Sequence, residues 1–369
     1  MKSIPSVSAH VLSTFRTLSW NLSQKYSSSS SVSVYTKIIS EIAGCVNYFQ
    51  RCFQKIFSIL KLFSCTELVF ILSLILFETC KEGFAMYQIM HKRELNSSVT
   101  EMEIHAPLVA RKAKPGQFII LRVDENGERI PLTVAGTNPL EGSVKIIFQV
   151  VGGTTMALNA KAEGDSIQDF TGPLGTATDI EGKKKVCVIG GGVGCAIAMP
   201  VAKALHDQGT EVTSIIGFRN KDILILEDEF RSFSDRLIVT TDDGSYGFHG
   251  NVTVPLKEML DAGEPFDEII TIGPLIMMKF VTATARPYNI PVTVSMNPIM
   301  IDGTGMCGCC RLTLNQDGKR VTKFACVDGP DFNGYEVDFD EAMSRNRMYT
   351  DFESHKRDEA CNLLKKEAQ

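Results

Sequence analysis

A glycine- and cysteine-rich segment near the C-terminus constrains this chain more than any other stretch. It runs from Asp302 to Cys326 and holds four of the chain's eleven cysteines. Glycines punctuate its first half, and they let the backbone turn sharply enough to aim several side chains at one place. A close C-x-x-C pair, Cys307 and Cys310, followed by a distant cysteine is typical of a metal site rather than of disulfides in an intracellular protein.

The spacing of this segment favours an iron–sulfur cluster over zinc. Zinc usually takes four ligands in two close pairs, whereas Cys326 has no cysteine or histidine near it in sequence. The plant-type [2Fe–2S] spacing is a cysteine, four residues, a cysteine, two residues, a cysteine and then a remote cysteine. The chain matches that spacing with a carboxylate in the first position, as Asp302, Cys307, Cys310 and Cys326. We therefore expect one oxygen ligand and a non-ligating Cys309, with a zinc or structural thiol cluster as the open alternative.

Length and charge indicate several folded parts. A chain of 369 residues is too long for one small core, which predicts two or three domains. The net charge is −5, and no basic run with interleaved aromatic residues is present, which argues against a nucleic-acid-binding protein. Residues 1–85 carry a net charge of +4 and residues 86–369 a net charge of −9. The two parts therefore differ in the sign of their charge, which indicates two different types of segment.

Residues 1–85 have the composition of an extension. The first forty residues are rich in serine and contain no acidic residue, which is typical of a transit peptide or a disordered arm. The uninterrupted part of the apolar stretch over 56–77 is shorter than the roughly 20 residues that span a bilayer. The codons of residues 81–83 can spell a bacterial ribosome-binding sequence, and we expect native translation to start at Met86. We expect a cytoplasmic protein without membrane association, and a targeting or membrane role of residues 1–85 stays open.

Residues 86–180 are predicted to form a small antiparallel barrel. Turn signals such as Lys114-Pro115-Gly116 and Asn126-Gly127 separate short runs with strand character. These runs cover 88–94, 99–104, 118–123, 132–135 and 144–151. Closely spaced strands with almost no helical period favour a barrel.

Two patches in this region have the residue types that hold a flavin. The first sets a cation and a hydroxyl beside a strand and comprises Arg129, Pro131, Leu132 and Thr133. The second starts a short helix over 154–160 and comprises Gly152, Gly153 and Thr154. Amides at a helix N-terminus suit a pyrophosphate. Alone, either patch is better explained as an ordinary hairpin or helix cap.

Residues 181–298 are predicted to form a nucleotide-binding α/β domain. A buried-type strand over 185–189, a glycine turn over 190–194 and a helix over 195–208 form the start of a βαβ unit. Further strands over 211–218, 237–241, 268–273 and 292–296 alternate with helices, which favours a parallel, doubly wound sheet. Cys195 is interpreted as a small helix-packing residue. The second strand ends in Phe218-Arg219-Asn220-Lys221 without the usual acidic residue, so the preference between NAD and NADP stays open.

The order of barrel, nucleotide domain and cysteine segment resembles the ferredoxin–NADP reductase superfamily. The motifs that carry the resemblance lie at 297–311, 324–330 and 345–349. Within the superfamily the chain is similar to the electron-transfer subunits of dihydroorotate dehydrogenase B. It is similar above all to the small subunits of NADH-dependent reduced ferredoxin:NADP oxidoreductase, also called sulfide dehydrogenase. The resemblance covers about 86–349 and leaves a polar tail over 350–369.

The resemblance implies a β + α/β fold with three cofactors. FAD would lie in the barrel on Arg129, Pro131, Leu132 and Thr133, with its phosphates near Gly152, Gly153 and Thr154. NAD(H) or NADP(H) would bind on Gly191, Gly192 and Gly194, with the nicotinamide near Gly273 and Pro274. The [2Fe–2S] cluster would lie in the segment 299–349. Asp302 stands where dihydroorotate-type subunits carry a cysteine, and so separates the two branches.

The resemblance also implies a function. The chain would be an electron-transfer flavoprotein subunit that moves electrons between NAD(P)H, FAD and the cluster. Its expected partner is a larger subunit with another FAD and [4Fe–4S] clusters. Ferredoxin would interact with the chain through this complex. The alternatives are an electron-transfer subunit of dihydroorotate dehydrogenase, a sulfide or polysulfide reductase and, from a different class, a zinc-stabilised binding module.

Overall fold

The computed structural model describes residues 87–355 and 357–358. The predicted extension over 1–85, with its apolar stretch and the proposed start at Met86, lies outside the described residues, as does the end of the polar tail. Over the described ranges, no helix combines the length and the hydropathy that crossing a membrane requires.

Seven antiparallel strands form the first sheet. They are β1 (Tyr87–Asn96), β2 (Val99–His105), β3 (Phe118–Arg122), β4 (Ile130–Asn138), β5 (Ser143–Gln149), β6 (Ser166–Ile167) and β7 (Asp169–Leu174), in the order β6-β1-β2-β5-β4-β3-β7. The two outer strands, β6 and β7, follow each other in the chain with only Gln168 between them. The amide of Gln168 donates to the carbonyl of Val123 at 3.2 Å. This run therefore passes from one edge of the sheet to the other and nearly closes the predicted barrel, which is confirmed.

Two short helices accompany the barrel, α1 (Pro107–Ala110) and α2 (Gly153–Ala160). The second agrees with the helix predicted over 154–160. Lysine caps its C-terminal end, because Lys92 Nζ lies 2.5 Å from the carbonyl oxygen of Asn159 and 3.1 Å from that of Lys161. A cation is favourable there because the last carbonyls of a helix carry partial negative charge.

Six parallel strands form the second sheet, as the alternation of strands and helices predicts. They are β8 (Lys185–Gly191), β9 (Glu211–Phe218), β10 (Arg236–Thr241), β11 (Phe248–His249), β12 (Glu268–Ile272) and β13 (Val292–Ser295). The helices are α3 (Cys195–Asp207), α4 (Glu227–Phe233), α5 (Thr253–Asp261) and α6 (Leu275–Ala285). Helices α3 and α4 pack on one face and α5 and α6 on the other, so the sheet is doubly wound.

The C-terminal segment returns to this sheet. It forms the hairpin β14 (Arg311–Gln316) and β15 (Lys319–Phe324), then β16 (Asp331–Asn333) and α7 (Phe339–Asn346). Strand β16 pairs antiparallel with β13 and gives the order β11-β10-β9-β8-β12-β13-β16. The cysteine segment is therefore anchored on both sides, by β13 before it and β16 after it.

Strand β3 contributes to two hydrophobic cores. Ile119 and Leu121 pack in the barrel core. Phe118 and Ile120 point to the opposite side, as alternate residues of a strand do. They belong to the core that the nucleotide domain shares with the cysteine segment, including Cys310. Strand β3 thus belongs both to the barrel and to the core of the nucleotide domain and cysteine segment.

Candidate functional site

The loop over 302–310, named the cluster loop here, rests on the outer wall of the barrel. Gly303, Gly305 and Gly308 have φ values of +75°, +81° and +65°, in the left-handed region that favours glycine. A Cβ atom on Gly303 would lie 2.6 Å from Leu174 Cδ1 and 2.9 Å from Ile120 Cδ1. Only glycine fits there without moving the loop away from the barrel.

Cys310 and Cys326 form a buried thiol pair. They are 1% and 3% exposed, and their Sγ atoms lie 3.2 Å apart. The β14–β15 hairpin brings them together, since the amide of Ala325 donates to the carbonyl of Cys310 at 3.1 Å. Burial, followed by the neighbouring Cys310, raises the pKa of Cys326 to about 12. The thiolate that binds a metal would therefore need the positive charge of the metal to form.

Asp302 and Cys307 form a second pair nearer the surface, in which Cys307 is exposed and Asp302 is half-buried. Asp302 Oδ1 accepts a hydrogen bond from the amide of Thr304 at 2.8 Å, and Oδ2 accepts one from the amide of Cys307 at 2.9 Å. The first of these bonds is the main reason why the pKa of Asp302 lies below its ordinary value. The carboxylate is thus ionised beside Cys307, and each oxygen keeps a further lone pair for a metal.

The four predicted ligands fit a two-metal cluster better than a single ion. No three His, Cys, Asp or Glu side chains converge on one metal position anywhere in 87–355 or at 357–358. The sequence-predicted set instead forms the two pairs just described. A [2Fe–2S] cluster has two iron atoms, each with its own protein ligands, whereas structural zinc needs four ligands around one point. Three thiols and one carboxylate in two pairs therefore suit the [2Fe–2S] cluster.

Cys309 differs from its neighbours. It is half-buried, and its Sγ lies 4.0 Å from the carbonyl oxygen of Cys307. Its own carbonyl accepts a hydrogen bond from the guanidinium of Arg345 on α7 at 3.4 Å. The expectation that Cys309 does not bind the cluster stays a prediction.

The first flavin patch borders a small cavity between the barrel and the nucleotide domain. The cavity has a volume of about 30 Å³, and Pro131 and Thr133 line it together with Phe118. Leu132 packs from the other side of β4 against the barrel core. Pro131 and Thr133 therefore face the cavity, whereas Leu132 between them faces the barrel core.

Sequence reasoning missed the opposite wall of this cavity. Ser295, Met296 and Asn297 line it where β13 ends. Ligands of open α/β sheets bind at the carboxyl ends of the strands. That rule, applied to the predicted strand over 292–296, would have found these residues.

Arg129 lies at the edge of the barrel and is loosely held. Its side chain is 50% exposed, and Nη2 lies 4.0 Å from Oδ2 of Asp169. Asp169 is already paired with Arg122, whose Nε lies 2.7 Å from the same oxygen. The charge of Arg129 therefore stays available for an anion such as a phosphate.

The second flavin patch is an open helix N-terminus. Gly152 is the extended residue before α2, and a Cβ atom on it would meet nothing within 4 Å. Thr155 Oγ1 accepts hydrogen bonds from the amides of Val151 and Gly152, both at 3.0 Å, which fixes the turn. The amides of Gly153 and Thr154 lie in the first helical turn and have no intrahelical partner. The site offers the donors and the space that a pyrophosphate needs.

The glycine turn after β8 packs against the end of β12. A Cβ atom on Gly194 would lie 2.5 Å from the carbonyl oxygen of Ile272, and one on Gly191 would lie 3.2 Å from Pro274 Cδ. Gly192 has φ +55° and no neighbour within 4 Å of such an atom. Two glycines thus allow close packing, and the third faces open space. The structure brings Gly273 and Pro274 to the turn, and their place near the nicotinamide stays a prediction.

Cys195, the first residue of α3, is fully buried. A Cβ atom on Gly190 would lie 2.9 Å from its Sγ, so the thiol fills the contact between helix and strand. Burial raises the pKa of the thiol far above its ordinary value. Its interpretation as a packing residue is confirmed.

The chain was compared with known proteins. Residues 297–338 match the iron–sulfur cluster binding domain of dihydroorotate dehydrogenase B. The chain is 48% identical over 271 residues to a homolog of the dihydroorotate dehydrogenase B (NAD(+)) electron transfer subunit from Thermotoga maritima, which spans 73% of this chain and 94% of the relative. It is 30% identical over 250 residues to the electron transfer subunit itself from Streptococcus pneumoniae, covering 66% of this chain and 94% of that protein.

A solved structure matches as well. It comes from an NADH-dependent reduced ferredoxin-NADP oxidoreductase studied for flavin-based electron bifurcation. The match has a TM-score of 0.69 and 45% sequence identity, and it covers 74% of this chain and 98% of that chain. Barrel, nucleotide sheet and cysteine segment therefore occur together in a protein of known structure.

Proposed function

Because the chain belongs to the family of dihydroorotate dehydrogenase B electron-transfer subunits and their homologues, we propose that it serves as the electron-transfer subunit of a ferredoxin:NADP oxidoreductase complex. It is a flavin and iron–sulfur oxidoreductase subunit of ferredoxin reductase-like fold. One observation carries the proposal. On β3, Phe118 lines the cavity between the domains, and Ile120 touches the cluster loop. Two residues of a strand span only about 7 Å, a short route for electrons.

The cofactors are FAD, a nicotinamide dinucleotide and an iron–sulfur cluster, and we propose a set of residues for each. When bound, the flavin exchanges a hydride with the nicotinamide and single electrons with the cluster. We assign the flavin ring to the surface of β4 at Pro131 and Thr133, outside the small cavity, which has room for roughly one or two water molecules. Its phosphates are assigned to Arg129 and the start of α2. The dinucleotide lies on the glycine turn, with NAD(H) and NADP(H) both open.

The residues of the chain position the cofactors and keep water out. The turn over 191–194 presents its backbone to a pyrophosphate, and Gly273 and Pro274 close the end of β12 beside it. Cys310 and Cys326 are buried, Asp302 is half-buried and Cys307 is exposed to solvent. We assign no acid or base among these residues, and the proton that the flavin would gain with the hydride would pass to solvent when the two electrons leave one at a time.

The partner is a larger catalytic subunit. We propose that it carries another FAD and [4Fe–4S] clusters and takes electrons from ferredoxin. The surface beside the cysteines supports docking there, because Met306 is 89% exposed and Val327 is 52% exposed. Met348 and Tyr349, which follow α7, add 68% and 52% exposed apolar side chains. Exposed apolar groups around a redox centre are typical of a protein interface.

The docking surface gives a first prediction. Met306→Glu should weaken binding of the larger subunit roughly 30-fold, as loss of a central apolar contact does. Iron and flavin content should stay unchanged, because the side chain points into solvent. Co-purification with the co-expressed larger subunit measures the effect, and Leu140→Glu on the 99% exposed barrel turn is the control. Equal recovery of both variants would place the interface elsewhere.

The proposed function is tested by anaerobic purification of the full chain, with flavin and iron assays and an EPR spectrum after reduction. Bound FAD together with a reduced [2Fe–2S] signal is the expected result. A colourless protein with zinc and no flavin would overturn the proposal in favour of a binding module.

The oxygen ligand gives a second prediction. Asp302→Cys should change the visible and EPR spectra and the reduction potential of the cluster, because a thiolate donates more charge to iron than a carboxylate. Flavin content should hold. Asp328→Asn is the matched control, since Asp328 also accepts a backbone amide, that of Phe324 at 2.8 Å, but is no expected ligand. Identical spectra for Asp302→Cys and wild type would remove Asp302 from the ligand set.

A second candidate is an electron-transfer subunit of dihydroorotate dehydrogenase itself. The match of residues 297–338 to the iron–sulfur domain of that enzyme favours it. Asp302, in place of the cysteine implied for that branch, favours the first candidate. Whether the assembled complex oxidises dihydroorotate or exchanges electrons between ferredoxin and NADP decides between them.

A further inference from the structure

Three polar residues from three parts of the chain meet at one buried point. Thr178 lies in the linker between the barrel and β8, Ser295 ends β13, and Asp331 begins β16. Asp331 is the register partner of Ser295, and Thr178 Oγ1 donates to Asp331 Oδ2 at 2.5 Å. We call these three residues the junction cluster.

The junction cluster is shielded from solvent. Thr178 and Ser295 are 7% and 8% exposed. Asp331 Oδ1 is buried and has no hydrogen-bond partner among the residues that the structure describes. A buried, unpartnered carboxylate oxygen costs free energy unless the group takes up a proton.

Two opposing charges act on Asp331, those of Lys183 and Glu268. Lys183 Nζ is engaged by Glu268 Oε2 at 2.6 Å, and Thr293 Oγ1 donates to Oε1 of the same carboxylate at 2.5 Å. Burial raises the pKa of Asp331 above its ordinary value, with a further rise from Glu268. The hydroxyl groups of Ser295 and Thr178 and the charge of Lys183 act against this rise. The hydrogen bond from Thr178 is thus the polar contact that holds the Asp331 side chain at the junction.

The junction cluster lies between the cavity and the cysteine segment. Ser295 and Pro330, the residue before Asp331, both line the cavity. Backbone bonds hold the same strip together, from Met296 N to the carbonyl of Pro330 at 2.9 Å and from Thr176 N to that of Gly329 at 2.7 Å. Displacing Asp331 would thus move a cavity wall relative to the chain that carries Cys326.

We propose that Asp331 is a positioning residue: it joins the linker, β13 and β16 at one buried point, fixes the spacing between the cavity and the cysteine segment, and so governs how fast electrons pass from flavin to cluster. The proposal rests on the proposed function, since it assigns the flavin to the β4 residues that border the cavity. Asp331 touches neither cofactor in this arrangement and acts through Ser295 and Pro330.

The test compares Asp331→Asn, Asp331→Leu and Thr178→Val in the full chain loaded with both cofactors. Stopped-flow absorbance after mixing with NADH or NADPH follows reduction of the flavin and of the cluster separately. Asp331→Leu and Thr178→Val should slow cluster reduction about 10- to 100-fold, the effect of misplacing reacting groups by about 1 Å. Flavin reduction should stay unchanged. Asp331→Asn should restore the rate, because a neutral amide keeps the bond to Thr178.

Thr240→Val is the matched control. Like Thr178→Val, it removes a buried threonine hydroxyl. The hydroxyl of Thr240 lies on β10 and has no hydrogen-bond partner among the described residues. Cluster reduction at the wild-type rate in Thr178→Val, or an Asp331→Asn variant as slow as a fully loaded Asp331→Leu, would overturn the proposal. So would equal slowing by Thr240→Val. If Asp331→Leu does not fold, Thr178→Val and Asp331→Asn still decide. A wild type that lacks flavin or cluster would instead contradict the proposed function.

Discussion

Cys310→Ala should remove the iron–sulfur cluster while the flavin stays bound. Cys310 is half of the buried thiol pair, 3.2 Å from Cys326, and alanine supplies no donor in its place. Losing even a group that supports a metal ligand costs 10- to 100-fold in affinity, so losing a ligand should lower iron content at least about tenfold. Iron analysis and EPR of the reduced, anaerobically purified protein measure the loss, and flavin absorbance reports whether the barrel is intact.

Cys309→Ala is the matched control for this variant. It removes a thiol from the neighbouring position, and the prediction that Cys309 is not a ligand requires a normal cluster. Loss of iron from Cys309→Ala with a full cluster in Cys310→Ala would exchange the two assignments. Loss of iron and flavin together would show that Cys310 serves the shared core, where it packs beside Leu312.

Gly192→Leu should raise the KM for the nicotinamide dinucleotide roughly tenfold, with flavin and cluster unchanged. The free energy behind this estimate is about 1.4 kcal/mol, within the range of up to about 2 kcal/mol for an anion at a helix N-terminus. Gly192 has φ +55° and faces open space, which a leucine side chain would fill where a pyrophosphate is expected. Reduction of an artificial acceptor at varied NADH and NADPH concentrations gives KM.

The control must separate blocked space from backbone strain. Gly263→Leu serves, because Gly263 has φ +77°, no neighbour within 4 Å of an added Cβ atom and a position at the end of α5 away from the turn. An equal rise in KM in both variants would mean that strain, transmitted through the fold, is the cause. An unchanged KM in Gly192→Leu would place the dinucleotide elsewhere.

The sequence predicts much of the fold because its strong local signals agree with the tertiary structure. The glycine turn with its flanking strand and helix, and the closely spaced barrel strands, all occur where expected. Strand β16 had no such signal. Its three residues, Asp331–Asn333, are too few to show a period, and their pairing with β13 depends on where the cluster loop ends.

The candidate site was predictable in identity but not in arrangement. Spacing alone selected Asp302, Cys307, Cys310 and Cys326, yet it says nothing about which of them are neighbours or which are buried. The pairing and burial of these residues depend on the hairpin β14–β15 and on the contact of the cluster loop with Leu174. The far wall of the cavity was missed for a related reason, since Ser295 and Met296 belong to no motif and Asn297 was read only as the start of the motif over 297–311.

The double use of β3 has a consequence for folding. A shift of one residue along this strand would move Ile119 and Leu121 out of one core and Phe118 and Ile120 out of the other at once. If the rest of the chain were removed, Phe118 and Ile120 on the outer face of β3 would lose the residues that they pack against. Because both cores contain β3, we expect the barrel and the nucleotide domain to lose their packing together, and a barrel expressed alone would expose the apolar outer face of β3, which favours aggregation.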